Sequence, residues 1–349
     1  MKDGFIRVAA ATPDIHVADP QYNSEQIIEL MEQGSARGVK VMVFPELCLT
    51  AYTCSDLFLQ ETLLKETKNG LKRILQSSKS KDMVLFVGMP WMHKGKLYNV
   101  AAVVNRGRIL GIVPKKHLPN YSEFYELRHF TPGMEKVEMT EWEGLQIPMG
   151  MKLLFSCRTM PELVLAAELC EDVWVPCPPS ISHALAGATV IANCSASDET
   201  TGKDRYRYDL ICGQSARLVC GYIYANAGEG ESTQDLVFGG QNIIAENGTC
   251  LVQSDRFKNA CICADMDLGR IISERRRMTT FKDEENKASS YETVYFELNT
   301  EDITKKDSKK AGQKNDEILR YMIRLHLCLM MQDRESAAAK RSFLSRQWD

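Results

Sequence analysis

Short apolar runs alternate with segments of helical spacing along most of the chain, and this alternation limits the folds that it can adopt. FIRVAAAT, VKVMVFPE and DMVLFVGMP are typical of buried strands, whereas residues 24–37 have the spacing of an amphipathic helix. Strand pairs are inserted between these units, one around residues 105–107 and one joined by an Asn247-Gly248 turn. The pattern predicts an α/β protein whose sheets are covered by helices.

Composition excludes several other classes of protein. The chain has 349 residues, of which 44% are hydrophobic and 26% charged, and its net charge is −3. A charge this close to zero does not favour nucleic-acid or membrane partners. The N-terminal segment lacks the pattern of a signal peptide, and no apolar run approaches the ~20 residues of a membrane span. We therefore expect a cytoplasmic protein.

The cysteines and histidines do not form a metal-binding pattern. Twelve cysteines and six histidines are scattered, without a CxxC pair. A zinc site needs closely spaced ligands, so we expect no metal. Buried or catalytic thiols in a reduced compartment explain the cysteines better than disulfides do.

Three polar residues each follow an apolar strand, in a place where an α/β sheet gathers its active site. They are Glu46, Lys115 and Cys170. Each alone has an ordinary explanation: a solvated glutamate, a surface lysine and a buried thiol. Together they supply a base, a cationic oxyanion donor and a nucleophile. The neighbouring acids Glu171 and Asp172 would by themselves raise the pKa of the Cys170 thiol, so a nearby lysine would be needed to counter them.

Three motifs resemble those of the nitrilase superfamily: FPELCLTAY (44–52), VPKKHLPNYSEFYE (113–126) and AAELCEDVWVP (166–176). Their Glu, Lys and Cys residues follow in the family's order, 69 and then 55 residues apart. Within the superfamily, the chain is most similar to the glutaminase domain of bacterial glutamine-dependent NAD synthetases. The segments YSEFYELRHFTPG and ANAGEGESTQDLVFGGQNII support this likeness, which extends over residues 7–298.

The resemblance implies a fold and a set of site residues. The fold is a four-layer α/β/β/α sandwich with two mostly antiparallel sheets. Glu46 is implied as general base, Lys115 as stabiliser of the tetrahedral intermediate, and Cys170 as nucleophile. The motif selects Lys115 rather than Lys116, because the lysine follows the proline directly. The residues implied to surround glutamine are Tyr52, Tyr121, Glu126, Glu171, Ser197 and Lys203, and Lys203 stands where relatives often carry arginine.

The implied reaction is hydrolysis of the glutamine side-chain amide to glutamate and ammonia through a cysteine thioester, without metal or organic cofactor. ATP and deamido-NAD would bind a synthetase domain, whose glycine- and serine-rich SGGxDS loop has no match in this sequence. The implied partners are glutamine, further copies in a homo-oligomer and a separate synthetase subunit. Two alternatives stay open: a free-standing amidase or carbamoylase, and a non-catalytic remnant.

The C-terminal segment differs in composition from the rest. After about Leu298 the chain becomes lysine-rich and charged, which is typical of a linker, so we divide the chain into residues 1–298 and 299–349. From Tyr321 onward, a shifted reading frame with suitable codons spells a sequence similar to the entry of a synthetase domain. We hypothesise that a frameshift replaced this tail, and a gene sequence without that alternate reading would refute the idea.

Overall fold

The predicted strands assemble into two sheets in a computed structural model, which describes residues 4–233, 235–281 and 290–299. The strands of this described part are β1 (Phe5–Ala11), β2 (Val41–Val43), β3 (Val84–His93), β4 (Lys96–Asn105), β5 (Arg108–Pro114), β6 (Glu138–Trp142), β7 (Leu145–Met149), β8 (Leu153–Cys157), β9 (Val164–Leu169), β10 (Val190–Ser195), β11 (Gly221–Asn226), β12 (Ile243–Glu246), β13 (Thr249–Gln253), β14 (Cys261–Asp267) and β15 (Glu292–Phe296). The helices are α1 (Pro20–Ala36), α2 (Glu61–Ser78), α3 (Pro179–Leu185), α4 (Lys203–Leu218) and α5 (Leu268–Arg277).

Both sheets mix parallel and antiparallel pairs. The first has the strand order β14-β1-β2-β3-β4-β5-β7-β6, and the second β13-β12-β11-β10-β9-β8-β15. Parallel triplets lie within each sheet, β1-β2-β3 in the first and β9-β10-β11 in the second. The α/β fold class is confirmed, and the expectation of mostly antiparallel sheets holds for the first sheet, where four of seven strand pairs are antiparallel, but not for the second, where three of six are. The helices α1, α2, α3 and α4 make the crossover connections that the parallel neighbours of these triplets require.

The two sheets share one apolar core. Val8 and Phe86 of the first sheet lie in the same buried cluster as Phe155 and Leu165 of the second. The rings of Phe86 and Phe155 meet edge to face across this core, with centroids 6.3 Å apart. A core of this kind forms because alternate residues of each strand point to the same face. The sheets therefore pack against each other through these faces.

The opposite face of each sheet packs against helices. On the first sheet, Met42 lies in a buried cluster with Ile27 of α1 and Leu71 of α2. On the second sheet, Ile191 and Tyr222 lie in a cluster with Ala184 of α3 and Ile211 of α4. A shared inner core with a helical cluster on each outer face is what the α/β/β/α layer order requires.

One helix begins at a different residue from the sequence prediction, and several short strands and one helix were not predicted. Helix α1 begins at Pro20, because the Asp19 side chain accepts a hydrogen bond from the Tyr22 amide and caps it. A 3₁₀ segment, Tyr52–Leu59, precedes α2. Strands β6, β7, β8 and β15 and helix α5 were not predicted. Strands β6 and β15 are edge strands in which exposed or polar residues interrupt the apolar ones, so neither carries an apolar run.

All described residues belong to one compact unit. The boundary at residue 298 stays a prediction, because residues 300–349, and with them the tail hypothesis, lie outside the described residues. Within the described ranges, the structure contains no helix with the length and apolar character needed to cross a membrane. The same ranges contain no group of histidine, cysteine and acidic side chains that could hold a metal ion.

Candidate active site

Glu46, Lys115 and Cys170 follow the carboxyl ends of β2, β5 and β9. The structure places the Lys115 ammonium between two carboxylates, 2.6 Å from Glu46 Oε1 and 2.6 Å from Glu126 Oε1. The Lys115 and Glu46 side chains are fully buried and that of Glu126 is 4% exposed. A lysine this deeply buried needs such partners, because an isolated buried charge is strongly unfavourable. The three side chains form one ionic cluster.

Two further donors hold the Glu46 carboxylate. Asn99 of β4 donates from Nδ2 to Glu46 Oε1 at 2.6 Å, and the Ala196 amide donates to Glu46 Oε2 at 3.1 Å. Neither residue was singled out from the sequence. Asn99 carries a weak signal, since it is a polar residue inside an otherwise apolar strand. The Ala196 contact uses only backbone and leaves no trace in residue type. With these bonds, Glu46 has a fixed orientation.

Cys170 lies at the point where β9 turns into a short 3₁₀ segment, Cys170–Val173. Its φ angle of 40° falls in the left-handed region, which is unfavourable for a residue with a side chain. Strained backbone of this kind persists where surrounding structure enforces it, often at active sites. The thiol is buried, and it lines the floor of a cavity of about 420 Å³. The sharp turn thus presents one particular thiol, among many buried cysteines, to a cavity.

The acids that follow Cys170 are held away from the thiol by other contacts. Asp172 accepts hydrogen bonds from the amides of Leu169 and His117, at 3.1 and 2.9 Å. It thereby fastens the loop after Lys115 to the turn after Cys170. Glu171 accepts a hydrogen bond from the Tyr121 hydroxyl at 2.9 Å. The largest effects that raise the pKa of the Cys170 thiol come from burial and Glu46 rather than from these two acids, and Lys115 opposes them.

The neighbouring lysines have different environments. Lys116 points outward, where its ammonium pairs with Glu135 at 3.0 Å and its side chain is 37% exposed. Lys115 points inward to the ionic cluster. The structure therefore brings Lys115, rather than Lys116, to Glu46.

Burial dominates the electrostatics of the site. Loss of water raises the pKa of Glu46 to about 7, although the Lys115 ammonium acts in the opposite direction. Burial also acts to lower the pKa of Lys115, but Glu126 and Glu46 outweigh it and raise that pKa well above its usual range. Burial and then the Glu46 carboxylate raise the pKa of the Cys170 thiol. At neutral pH the site therefore holds the Lys115 ammonium, a neutral Cys170 thiol and a Glu46 carboxyl group close to its titration point.

Four of the six predicted pocket residues line the cavity above Cys170, namely Tyr121, Glu171, Ser197 and Lys203. The other two, Tyr52 and Glu126, line a smaller cavity of about 80 Å³. The Tyr52 hydroxyl donates at 2.8 Å to Glu126 Oε1, which is the same oxygen that accepts from the Lys115 ammonium. Tyr52 and Glu126 are thus placed to orient the lysine.

Lys203 begins α4 and lies at the cavity wall. It pairs with Asp198, and its ammonium faces the Trp174 and Phe124 rings at 5.4 and 5.9 Å from their centroids. Asp198 was not predicted from the sequence. The cavity therefore offers a cation, a carboxylate and aromatic faces near the thiol, which suits a small zwitterionic molecule.

The sequence and the fold match a known family of hydrolases. Residues 7–276 match the sequence profile described as Carbon-nitrogen hydrolase, and the chain belongs to this family. It is 43% identical over 282 residues to a glutamine-dependent NAD(+) synthetase of Mycobacterium tuberculosis, covering 80% of this chain and 42% of that protein. It is 30% identical over 275 residues to the enzyme of the same name from Aquifex aeolicus, covering 78% of this chain and 44% of the relative.

Solved structures give the same result. A glutamine-dependent NAD(+) synthetase from Cytophaga hutchinsonii superimposes with a TM-score of 0.67 at 30% identity, covering 75% of this chain and 43% of that one. A nitrilase-superfamily amidase from Nesterenkonia superimposes with a TM-score of 0.60 at 18% identity, covering 79% of this chain and 96% of the amidase, which bears on the fold alone. The chain spans less than half the length of the curated relatives that it matches. It is a carbon–nitrogen hydrolase, homologous to one part of those synthetases.

Proposed function

We propose that this chain hydrolyses the side-chain amide of glutamine to glutamate and ammonia through a thioester on Cys170, as the ammonia-supplying part of glutamine-dependent NAD synthesis. The observation that carries the proposal is the buried Glu46–Lys115–Glu126 cluster beside a strained cysteine at the floor of a cavity. The names of the relatives, which join glutamine to NAD synthesis, supply the substrate and the metabolic role.

The first half of the reaction starts from a neutral thiol. Because burial raises the pKa of Cys170, the sulfur becomes a nucleophile only as its proton leaves. Glu46 is the proposed acceptor, since its pKa of about 7 is suited to taking and returning a proton at neutral pH. The sulfur then bonds to the amide carbon while the proton moves to Glu46.

The amide oxygen becomes an oxyanion in this step and needs fixed donors. Lys115 is the proposed charged donor, because its pKa is raised and it stays an ammonium. The amide of Glu171, in the first turn of the 3₁₀ segment, is the proposed second donor. Both are held in place before substrate arrives, Lys115 by Glu126 and the turn by Asp172.

Collapse of the intermediate breaks the carbon–nitrogen bond, and Glu46 returns its proton to the leaving nitrogen, which departs as ammonia. A water molecule then gives a proton to Glu46 and attacks the thioester carbon. The sulfur leaves and recovers that proton, and glutamate is released. The first half of the cycle returns Glu46 to a carboxylate, and the second half returns both Glu46 and Cys170 to their starting protonation states, so the complete cycle needs no metal or organic cofactor.

The cavity residues are proposed to bind the amino-acid end of glutamine. Lys203 is the proposed partner of the α-carboxylate, and Glu171, Asp198 and Ser197, which line the same cavity, are the proposed partners of the α-ammonium. A lysine offers a point charge where arginine would offer a planar fork, so its carboxylate contact is less directional.

The test is ammonia release by the purified chain, with glutamine beside a panel of simple aliphatic amides and carbamoyl amino acids. The proposal expects the highest kcat/KM for glutamine and none above background for Cys170→Ala. Preference for an aliphatic or carbamoyl substrate would favour the free-standing amidase instead. The ammonia acceptor is proposed to be a synthetase, and higher turnover after addition of a separately expressed synthetase would support this coupling.

A further inference from the structure

Glu168 is a buried carboxylate that the proposed reaction does not use. It lies on β9, two residues before Cys170, and is 1% exposed. Among the described residues, no basic side chain forms an ion pair with it. Burial raises its pKa to about 7, although hydrogen bonds to Tyr222 and Ser180 act in the opposite direction. A buried, unpaired carboxylate is costly, so its presence beside the nucleophile needs an explanation.

A continuous chain of hydrogen bonds leads from Glu168 to the active site. The Tyr222 hydroxyl donates to Glu168 Oε1, and the Asn193 amide donates to the Tyr222 oxygen at 3.0 Å. The Ser195 hydroxyl donates to Asn193 Oδ1 at 2.7 Å. Tyr222 is 0% exposed, as are Asn193 and Ser195, so water does not compete for these bonds. This series of hydrogen bonds crosses β9, β10 and β11 on the helix-covered face of the second sheet.

The end of this chain holds the proposed base. The Glu46 amide donates to the Ser195 carbonyl at 3.3 Å, and the adjoining Ala196 amide donates to Glu46 Oε2 at 3.1 Å. Ser195 and Ala196 form the point where β10 ends and the second sheet meets the loop that carries Glu46. The direction of the Ala196 N–H group therefore depends on how firmly Ser195 is held.

We propose that Glu168 is a positioning residue that acts through Tyr222, Asn193 and Ser195 to fix the Ala196 amide against the Glu46 carboxylate. The inference rests on the proposed function of Glu46 as general base. Tyr222 is the best place to break the chain, because phenylalanine keeps the ring in its core and removes only the hydroxyl. Its loss leaves the Asn193 amide without this acceptor and Glu168 Oε1 without the Tyr222 donor, although the Ser180 amide still donates to Glu168 Oε2, so the end of β10 loses its lateral support.

Tyr222→Phe should lower kcat for glutamine roughly 10-fold, because small displacements of a reacting group are costly. KM should stay within about twofold, since the substrate cavity is untouched. A weakened Ala196 contact also stabilises the Glu46 anion less. In a profile of kcat against pH, the midpoint of the rise from low pH should therefore move to higher pH. The matched control is Tyr98→Phe, which removes the hydroxyl of a buried tyrosine in the other sheet that takes no part in this chain. It should leave kcat and the midpoint as in the unmodified chain.

A second readout separates this inference from the identity of the substrate. The rate of Cys170 alkylation by iodoacetamide, followed by mass spectrometry across pH, reports on proton transfer from the thiol without using glutamine. Tyr222→Phe should slow it and shift its midpoint in the same direction as for kcat. Glu168→Gln keeps one acceptor oxygen and should give a smaller effect, and the double variant should be no slower than Tyr222→Phe, because both changes break one chain.

Unchanged kcat and unchanged alkylation in a folded Tyr222→Phe protein would overturn the inference, as would a change in KM alone. Should Tyr222→Phe not fold, Ser195→Ala breaks the same chain at its other end and must show the same slower alkylation with the raised midpoint. If the unmodified protein does not hydrolyse glutamine at all, the proposed function is refuted. The alkylation profiles would still decide the role of Glu168.

Discussion

Replacing Lys115 by methionine removes the one ammonium that sits between two buried carboxylates. Methionine has similar length and no charge, so the change keeps most of the volume. In the variant, Glu46 and Glu126 face each other without a cation, and Oε1 of each loses a hydrogen-bond donor at 2.6 Å. The pKa of Glu46 should rise further, because burial already favours its neutral form.

Two losses contribute to the expected effect on the reaction. Removing one oxyanion donor is typically worth about 100- to 1000-fold in kcat. A Glu46 carboxyl that is mostly protonated at neutral pH loses a further factor, because it cannot accept the thiol proton. Breaking a buried ion pair also costs about 3–5 kcal/mol of stability. Because a neutral Glu46 carboxyl is easier to bury than its anion, this destabilisation should be larger at pH 8 than near pH 5.

The assay is ammonia release per folded molecule, with circular dichroism and thermal unfolding measured at both pH values. The matched control is Lys116→Met, whose exposed pair with Glu135 contributes at most about 1 kcal/mol. We expect at least ~100-fold loss for Lys115→Met and less than about twofold loss for Lys116→Met. The assignment of Lys115 would be wrong if the Lys116 variant were crippled and the Lys115 variant were active.

Three further predictions follow from the contacts of the site. For the unmodified chain, kcat/KM should fall about tenfold per pH unit below an apparent pKa near 7, because protonated Glu46 cannot accept a proton, and a flat profile from pH 5 to 8 would contradict this role. Asn99→Ala removes a donor 2.6 Å from Glu46, so the same limb should move to higher pH in a rate profile, and a shift to lower pH would refute the reasoning. In steady-state assays, Lys203→Met should raise KM for glutamine about 10-fold with little change in kcat. Arg205→Gln, a change at an exposed residue of the same helix, should alter neither constant. Equal effects of the two variants would count against a carboxylate site at Lys203.

Much of the fold could be predicted because its central strands are continuous apolar runs. FIRVAAAT and the strand before Cys170 are buried on both faces, and such runs identify themselves in a sequence. Strands β6 and β15 lie at sheet edges and contain exposed or polar residues among the apolar ones. Their positions depend on pairing with the neighbouring strands β7 and β8. The mixed strand directions also depend on chain connections that periodicity does not record.

The site shows a similar division. The convergence of Glu46 and Lys115 was predicted from motifs at strand ends, and the structure brings them into contact. The roles of Asn99 and Ala196 could not be read from the sequence, because one is a single polar residue within a strand and the other acts through its backbone amide. Both contacts exist only in the folded chain, the first between parts of one sheet and the second between the two sheets.

The measurement that tests the central claim most directly is mass spectrometry of the chain after rapid acid quenching during turnover with glutamine. The account predicts a mass increase equal to one glutamyl group, located on the peptide that contains Cys170. The increase should persist in Cys177→Ala, which removes an exposed cysteine nearby in sequence, and vanish in Cys170→Ala. A label on another cysteine, or ammonia release that continues in Cys170→Ala, would contradict a thioester mechanism at this site.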